Sequence, residues 1–151
     1  MKIDRKLVDG KKIVCVSGGF DPIHIGHVRM IQDASKFGSV IVIANSDAWL
    51  LRKKGYVFMP YEERQEILYA IKGVVDVVEA RDNDDTVCDS LSHINPHIFA
   101  NGGDRGDRNT PEMDVCKELG IQMIWGMGGN DKPQSSSWLV DNAILQSQGV
   151  K

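Results

Sequence analysis

Two histidines lie three residues apart in the segment GGFDPIHIGH, residues 18–27. At this spacing His24 and His27 share one face of a helix, near its start. Gly18 and Gly19 precede them and allow a sharp turn with close approach of the backbone to a ligand. A helix start presents N–H groups and a positive dipole end, and imidazoles there can donate hydrogen bonds to phosphate oxygens. The segment therefore predicts a phosphate site that stabilises developing negative charge.

A zinc site is an alternative interpretation of the same pair. Histidines at i and i+3 can bind one metal ion from a single helix, but zinc in proteins takes at least three protein ligands. No third ligand is evident nearby in the sequence, so no protein metal site is predicted. A turn followed by two ordinary surface histidines is the third interpretation, and it assigns them no chemistry.

The elements that must position these histidines follow from the apolar pattern. Five short apolar runs alternate with segments of helical periodicity. This alternation predicts an α/β fold: a single Rossmann-like domain over residues 1–151, with a five-stranded parallel sheet covered by helices on both faces. The predicted strands cover residues 12–17, 39–46, 74–80, 97–101 and 121–126, and the predicted helices cover residues 24–37, 60–72, 85–94, 110–119 and 135–148.

Ligands of such sheets bind beyond the carboxyl ends of the strands. The segments directly after the predicted strands are therefore expected to form the site. They are residues 17–27, 45–55, 80–85, 101–110 and 126–137.

Composition restricts the classes of partner. The chain has 151 residues and a formal net charge of −3, which disfavours a general affinity for nucleic acid or anionic membranes. The N-terminal segment lacks a signal-peptide core, and no apolar run is long enough to span a bilayer. The three cysteines are widely spaced without a CxxC pair, which is typical of reduced thiols. We therefore expect a cytoplasmic protein with neither nucleic acid nor membrane as partner.

The segment GGFDPIHIGH resembles the G-x-F-D-x-x-H-x-G-H signature of the cytidylyltransferase-like nucleotidylyltransferases. That family includes glycerol-3-phosphate cytidylyltransferase and heptose-1-phosphate adenylyltransferase. The letters HIGH also occur in class I aminoacyl-tRNA synthetases, but those are far longer and carry a KMSKS-like segment that this sequence lacks. The resemblance covers residues 11–147 and implies transfer of a nucleoside monophosphate from an NTP to a phosphorylated acceptor, with release of pyrophosphate.

The resemblance also implies a role for each residue of the signature. His24 and His27 are expected to contact the α-phosphate and the bridging oxygen. The other nucleotide-binding residues that it implies in this segment are Gly18, Gly19, Phe20, Asp21 and Gly26.

Three further segments match family elements. Residues 52–55, RKKG, resemble a basic loop whose lysine contacts the nucleotide phosphates, and spacing does not decide between Lys53 and Lys54. The segment YEERQEIL resembles a Tyr-Glu-x-Arg helix, which implies that Arg64 reaches the triphosphate. The segment NSD implies acceptor binding by Asp47. Without the resemblance, the basic segment indicates a solvated loop and the arginine a charge on a helix surface.

The segment NGGDRGDRNTPE is similar to the Gly-Gly-Asp segment of the heptose adenylyltransferases. Gly103 and Asp104 are thereby implied in nucleotide binding, and the Asp104 carboxylate could accept from hydroxyl groups. Arg105 and Arg108 are further cations that could hold an acceptor phosphate. A polar loop before a capped helix is the alternative interpretation of this segment.

Ser135, Ser136 and Ser137 match the hydroxyl-bearing positions of the family's closing motif, which binds phosphates; as simple N-caps they would have no ligand. The cytidylyltransferase pattern has an arginine five residues earlier, where this sequence has Asn130 and Asp131. This departure, together with the NGGD segment, favours ATP slightly over CTP as donor.

The implied substrates are an NTP with its Mg²⁺ and a sugar-phosphate or polyol-phosphate acceptor, and a homodimer is expected. Three alternatives stay open. They are a glycerol-3-phosphate-type cytidylyltransferase, an adenylyltransferase acting on a cofactor precursor, and a nucleotide-binding module without turnover.

Overall fold

Five parallel strands form the centre of the structure, a computed structural model that describes residues 5–81, 84–102, 111–129 and 135–148. The strands are β1 (Ile13–Gly18), β2 (Ser39–Ala44), β3 (Val74–Glu79), β4 (Ile98–Gly102) and β5 (Gln122–Met127). The helices are α1 (Ile25–Ala34), α2 (Asp47–Lys54), α3 (Tyr61–Tyr69), α4 (Cys88–Ile94), α5 (Pro111–Leu119) and α6 (Ser136–Ser147).

The central strand β1 shows how the sheet is buried on both faces. Val14 and Val16 belong to one apolar cluster, to which α1 and α3 contribute. Ile13 and Cys15 point to the opposite face and join a second cluster with residues of α4 and α5. Side chains of successive residues alternate between the faces of a strand, so a strand covered on both sides must be apolar throughout. The predicted α/β fold with a five-stranded parallel sheet is confirmed.

The strand order β3-β2-β1-β4-β5 reverses direction at β1. Between β1 and β2 the register runs from Ile13↔Ser39 to Gly18↔Ala44, whereas β1 and β4 pair only at Val14↔Ile98 and Cys15↔Phe99. The two strands therefore part beyond this pairing, toward their carboxyl ends. Such a switch point is where open α/β sheets form their ligand crevice.

The basic segment expected to be a loop is instead the end of helix α2. Ser46 caps its start and accepts a hydrogen bond from the Trp49 N–H at 3.1 Å. Gly55 ends it with φ of 82°, a left-handed conformation that glycine adopts without steric cost. Lys53 and Lys54 lie in its last turn, where positive charges interact favourably with the negative end of the helix dipole. The apolar periodicity of this segment is weak, and so the sequence pattern did not predict a helix.

Helix α1 is shorter than predicted and ends at Ala34, with Ser35 as its C-cap. Gly38, between α1 and β2, permits a close backbone contact. A Cβ atom there would lie 2.2 Å from the Lys12 carbonyl oxygen, so only glycine permits this contact of the backbone with the start of β1.

Helix α6 lies on the surface and buries none of its residues. Its largest exposed apolar side chains are Trp138, Ile144 and Leu145. Within the part of the chain that the structure describes, no helix has the length and apolar character needed to cross a membrane.

Candidate active site

His24 and His27 cap helix α1 with their own side chains. The Nδ1 atom of His24 accepts a hydrogen bond from the Gly26 N–H at 3.0 Å, and the Nδ1 atom of His27 accepts from the His24 N–H at 3.2 Å. This is the geometry of a capping box, with imidazoles in place of the usual hydroxyl and carboxylate. A neutral imidazole that accepts at Nδ1 carries its proton at Nε2. The cap therefore assigns both rings the same tautomer, with an Nε2–H donor on each.

The two rings also stack, with centroids 3.8 Å apart and planes 26° from parallel. The ring of Phe20 meets His27 edge-on at 4.8 Å. Burial, and to a smaller extent the neighbouring His24 and Lys54, lower the pKa of His27 to about 3. His27 is therefore neutral at physiological pH, because its protonated form would lose hydration and lie beside two basic groups. It can stabilise a phosphate as a hydrogen-bond donor and not as a cation.

The sharp turn before α1 falls on Phe20 and not on the two preceding glycines. Phe20 is buried and has φ of 54°, a left-handed conformation that costs a bulky residue about 1–3 kcal/mol. Gly18 and Gly19 serve close packing instead. A Cβ atom at Gly18 would lie 3.3 Å from the Phe20 ring, and one at Gly19 would lie 3.1 Å from Leu50 Cδ2.

Asp21 is fully buried and binds the segment that precedes α3. Its carboxylate oxygens accept hydrogen bonds from the N–H groups of Phe58 at 2.7 Å and Met59 at 2.5 Å. The sequence predicted a nucleotide contact at this position. In the structure both carboxylate oxygens instead accept backbone hydrogen bonds, so Asp21 positions the loop that carries the histidines.

The buried side chain of Arg64 connects three backbone segments of the site through hydrogen bonds. Its side chain is 0% exposed. Its guanidinium donates to the carbonyl oxygens of Gly19 at 2.8 Å, Asn45 at 2.7 Å and Met59 at 2.9 Å. It also pairs with Asp47 at 2.8 Å. The resemblance implied that Arg64 reaches the triphosphate and that Asp47 reaches the acceptor. In the structure, the hydrogen bonds of Arg64 and its ion pair with Asp47 instead hold neighbouring loops together.

Lys53 and Lys54, which the sequence did not distinguish, have different partners in the structure. Lys54 Nζ donates to the Asp21 carbonyl oxygen at 3.4 Å and lowers the pKa of His27 through its charge. Lys53 Nζ instead pairs with Asp85 at 2.9 Å. Successive residues of a helix point about 100° apart, so the two ammonium groups serve different places. Lys54 is the lysine that the structure brings to the histidines.

The start of helix α6 lies beside the histidine loop. Ser135 is its N-cap and is buried, and Ser136 Oγ donates to the Pro22 carbonyl oxygen at 2.8 Å. Ser137 follows in the first turn and is exposed. The structure thus brings the predicted closing segment next to the helix start that carries His24.

A cavity that the sequence did not predict lies at the same edge of the sheet. It has a volume of about 210 Å³, and its polar and aromatic lining includes Asn45, Trp49, Asp85, Asn101, Glu112 and Trp125. Most of these residues end or follow a predicted strand, and this position in the sequence was the signal that could have indicated the cavity. Trp49 lies within the predicted segment 45–55, whereas Glu112 lies on helix α5 outside the predicted segments and gave no such signal.

Other predicted site residues lie outside the described part of the chain. They are Gly103, Asp104, Arg105 and Arg108. Among the described residues, no group of three or more histidine, cysteine, aspartate or glutamate side chains could hold a metal ion.

A family model described as cytidylyltransferase-like matches residues 15–130 of the chain. The bifunctional protein HldE of Geobacter metallireducens is 35% identical, over 97% of this chain and 30% of that protein. The bifunctional protein HldE of Pelobacter propionicus is 38% identical, over 78% of this chain and 23% of that protein. The chain thus spans less than a third of the length of these curated relatives.

Two solved structures share the fold. The lipopolysaccharide core biosynthesis protein from Thermoplasma volcanium superposes with a TM-score of 0.62 at 19% identity, over 77% of this chain and 96% of that one. A protein of unknown function from Archaeoglobus fulgidus superposes with a TM-score of 0.52 at 18% identity, over 82% and 95%. At these identities the likeness establishes architecture alone.

Proposed function

The chain belongs to the cytidylyltransferase-like family, and from this we propose that it is a nucleotidylyltransferase. It transfers a nucleoside monophosphate from an NTP to the phosphate of a sugar or polyol phosphate and releases pyrophosphate. The observation that carries the proposal is the reciprocal histidine cap. It places two Nε2–H donors and the N-terminus of α1 together at the switch point of the sheet.

The reaction requires no base from the protein. A phosphate monoester has a second pKa of about 6, so the acceptor is largely a dianion at neutral pH. One of its oxygens attacks the α-phosphorus and forms the new P–O bond. The bond from the α-phosphorus to the bridging oxygen breaks, and that oxygen leaves with pyrophosphate. Catalysis then consists of alignment and of stabilising charge on the phosphoryl oxygens.

The described residues divide this work between them. His24 and His27 donate to the α-phosphate and the bridging oxygen as neutral groups. Lys54 supplies positive charge beside them, at 3.4 Å from the Asp21 carbonyl oxygen. The hydroxyls and N–H groups at residues 135–137 lie close enough to the histidine loop to hold the departing phosphates. Arg64 acts as a positioning residue, because its contacts are to protein backbone and Asp47.

Magnesium is part of the substrate in this proposal, carried by the phosphates of the NTP. The described residues offer no cluster of ligands for a resident ion. Lys54 and the α1 N-terminus are the positive groups that the chain itself supplies to the same phosphates.

The choice of substrates rests on the sequence. The NGGD segment is closer to that of heptose adenylyltransferases than to that of cytidylyltransferases, and the arginine of the cytidylyltransferase closing motif is missing. Both points favour ATP over CTP. Arg105, Arg108 and Asp104 suit an acceptor with a phosphate and hydroxyl groups. Glycerol 3-phosphate with CTP is the second candidate, and a homodimer is the expected assembly.

A matrix of four NTPs against phosphorylated acceptors, assayed by pyrophosphate release, tests the proposal. The acceptors are glycerol 3-phosphate, several aldose 1-phosphates and a cofactor precursor such as phosphopantetheine. We expect release with ATP and a sugar phosphate, and its loss in a His24→Asn, His27→Gln double variant. Release with CTP alone would overturn the donor choice only. A folded protein that binds NTP yet releases no pyrophosphate with any acceptor would contradict the reaction itself.

A further inference from the structure

The cavity of about 210 Å³ lies on the side of the sheet away from the histidines. Besides polar residues it is lined by Val87, Phe99 and Met123, which belong to the apolar cluster under α4 and α5. The histidines begin α1, which covers the opposite face. The cavity and the histidine site meet at the carboxyl end of β1, where Ser17 and Asn45 line the cavity. A ligand there would approach the α-phosphate from across the crevice between β1 and β4.

The size of the cavity decides which substrate it can hold. Drug-sized ligands occupy pockets of about 300–1,000 Å³, and a nucleoside triphosphate is at least that large. The cavity, at about 210 Å³, lies below this range. It is therefore too small for the nucleotide but suits a single hydroxylated ring or a short polyol.

Trp49 leaves a buried hydrogen-bond donor unsatisfied in the cavity wall. Its indole Nε1 is buried and has no hydrogen-bond partner in the described structure. Buried polar atoms without partners are rare in proteins, and each one calls for an explanation. The Trp49 side chain as a whole is only partly buried and lines the cavity, so an oxygen of a ligand bound there is a candidate partner for this N–H. An indole can donate but not accept, which suits a hydroxyl or ether oxygen.

Two carboxylates complete the polar lining. Lys53 beside Asp85 holds the pKa of that carboxyl below its usual range, so Asp85 is ionised at neutral pH. Glu112 Oε1 accepts from the Val87 N–H at 3.2 Å, and a carboxylate retains further acceptor sites. Carboxylates accept hydrogen bonds from hydroxyl groups but repel a phosphate. The phosphate of an acceptor is therefore directed out of the cavity, past Asn45 toward the histidines.

We infer that this cavity is the subsite for the hydroxylated body of the acceptor, a monosaccharide or short polyol, and that Trp49 determines its specificity. The inference rests on the proposed function for the identity of the acceptor. The indole faces of Trp49 and Trp125 supply apolar surface for the carbon face of the ring. Trp49 supplies a donor, and Asp85 and Glu112 supply acceptors, for its oxygens.

The test compares Trp49→Phe with a matched control, Trp138→Phe, whose side chain is 51% exposed on α6. Binding of glucose 1-phosphate, mannose 1-phosphate, glycerol 3-phosphate and inorganic phosphate is measured by calorimetry, with and without a non-hydrolysable ATP analogue. We expect at least one sugar phosphate to bind more tightly than inorganic phosphate. Trp49→Phe removes the N–H donor together with part of the indole surface, and should weaken that binding about 3- to 10-fold or more. Its affinity for the ATP analogue, and all affinities of Trp138→Phe, should stay as in the parent chain.

Glu112→Gln provides a second variant if Trp49→Phe does not fold. It keeps an oxygen for the Val87 N–H but loses the charge, and it should also weaken sugar-phosphate binding without changing the affinity for the analogue. The subsite is refuted if no sugar phosphate binds in either condition. It is also refuted if folded variants bind sugar phosphates like the parent chain, or lose affinity for the ATP analogue by the same factor.

Failure of the proposed function has a different signature. Sugar-phosphate binding that depends on Trp49, without pyrophosphate release for any NTP, would leave the subsite standing and overturn the reaction. Pyrophosphate release with an unchanged acceptor KM in Trp49→Phe would support the reaction and overturn the subsite.

Discussion

The imidazole rings of His24 and His27 stack at 3.8 Å, while each accepts at Nδ1 the hydrogen bond that caps helix α1. The same two side chains therefore begin the helix and present Nε2–H donors to the proposed phosphate site. An alanine substitution removes both contributions at once. Substitutions that preserve the cap separate them.

His24→Asn and His27→Gln should each lower kcat by about 10²-fold or more, the scale for loss of one donor to a transition state. Asparagine is a good N-cap, and glutamine suits the third helical position of a capping box, so the helix should persist. The alanine variants should lose about 1 kcal/mol of unfolding free energy in addition. Pyrophosphate release and thermal unfolding measure the two effects. Near-normal turnover in the cap-preserving variants would remove the histidines from the mechanism.

Lys54→Ala should weaken NTP binding about tenfold or more, because its ammonium group lies at the histidine loop. Lys53→Ala is the matched control, since Lys53 pairs with Asp85 instead. We expect its NTP affinity to change less than twofold. Calorimetric titration with a non-hydrolysable analogue measures both. The reverse order of effects would show that Lys53 is the phosphate contact.

Arg64→Ala should destabilise the fold by about 3–5 kcal/mol, because it leaves three backbone carbonyl oxygens without their donor and removes the partner of the half-exposed Asp47. For a domain of this size, that corresponds to a fall in Tm on the order of 10 °C. Asp47→Asn keeps an oxygen for the Arg64 guanidinium and the Tyr61 N–H, which it binds at 3.0 Å, and should cost far less. An Arg64→Ala variant with unchanged Tm but poor NTP binding would favour the direct triphosphate contact that the family resemblance implies.

The lowered pKa of His27 predicts how stability depends on pH. The histidine has a pKa of about 6.5 in the unfolded chain and about 3 in the folded protein. Between these values the unfolded state binds a proton that the folded state does not, so this contribution to stability falls as pH decreases from about 6.5 toward 3. Urea unfolding at pH 7, 6, 5 and 4 should show a shallower loss in His27→Gln than in the parent chain. Parallel pH profiles for the two proteins would contradict this assignment.

The sheet was predictable because a strand buried on both faces must be a continuous apolar run. Ser39–Ala44 and its neighbours in the sheet stand out in this way, and each observed strand lies within two residues of its predicted bounds. The histidine pair was predictable because its spacing fits one turn of a helix. Helix α2 was not, because caps and charges set its limits while its apolar pattern is weak.

The sequence by itself determined the order of the five strands along the chain and the two histidines at the start of a helix, and it predicted the edge of the sheet where we propose that ligands bind. These depend on periodicity and spacing within short segments. Only the tertiary structure decided that Lys54 and not Lys53 lies at the histidines, that Arg64 is buried between loops, and that Trp49 lines a cavity. Each of these outcomes depends on which distant segments pack together. A local pattern does not specify where a long side chain ends, because its partners come from other strands and helices.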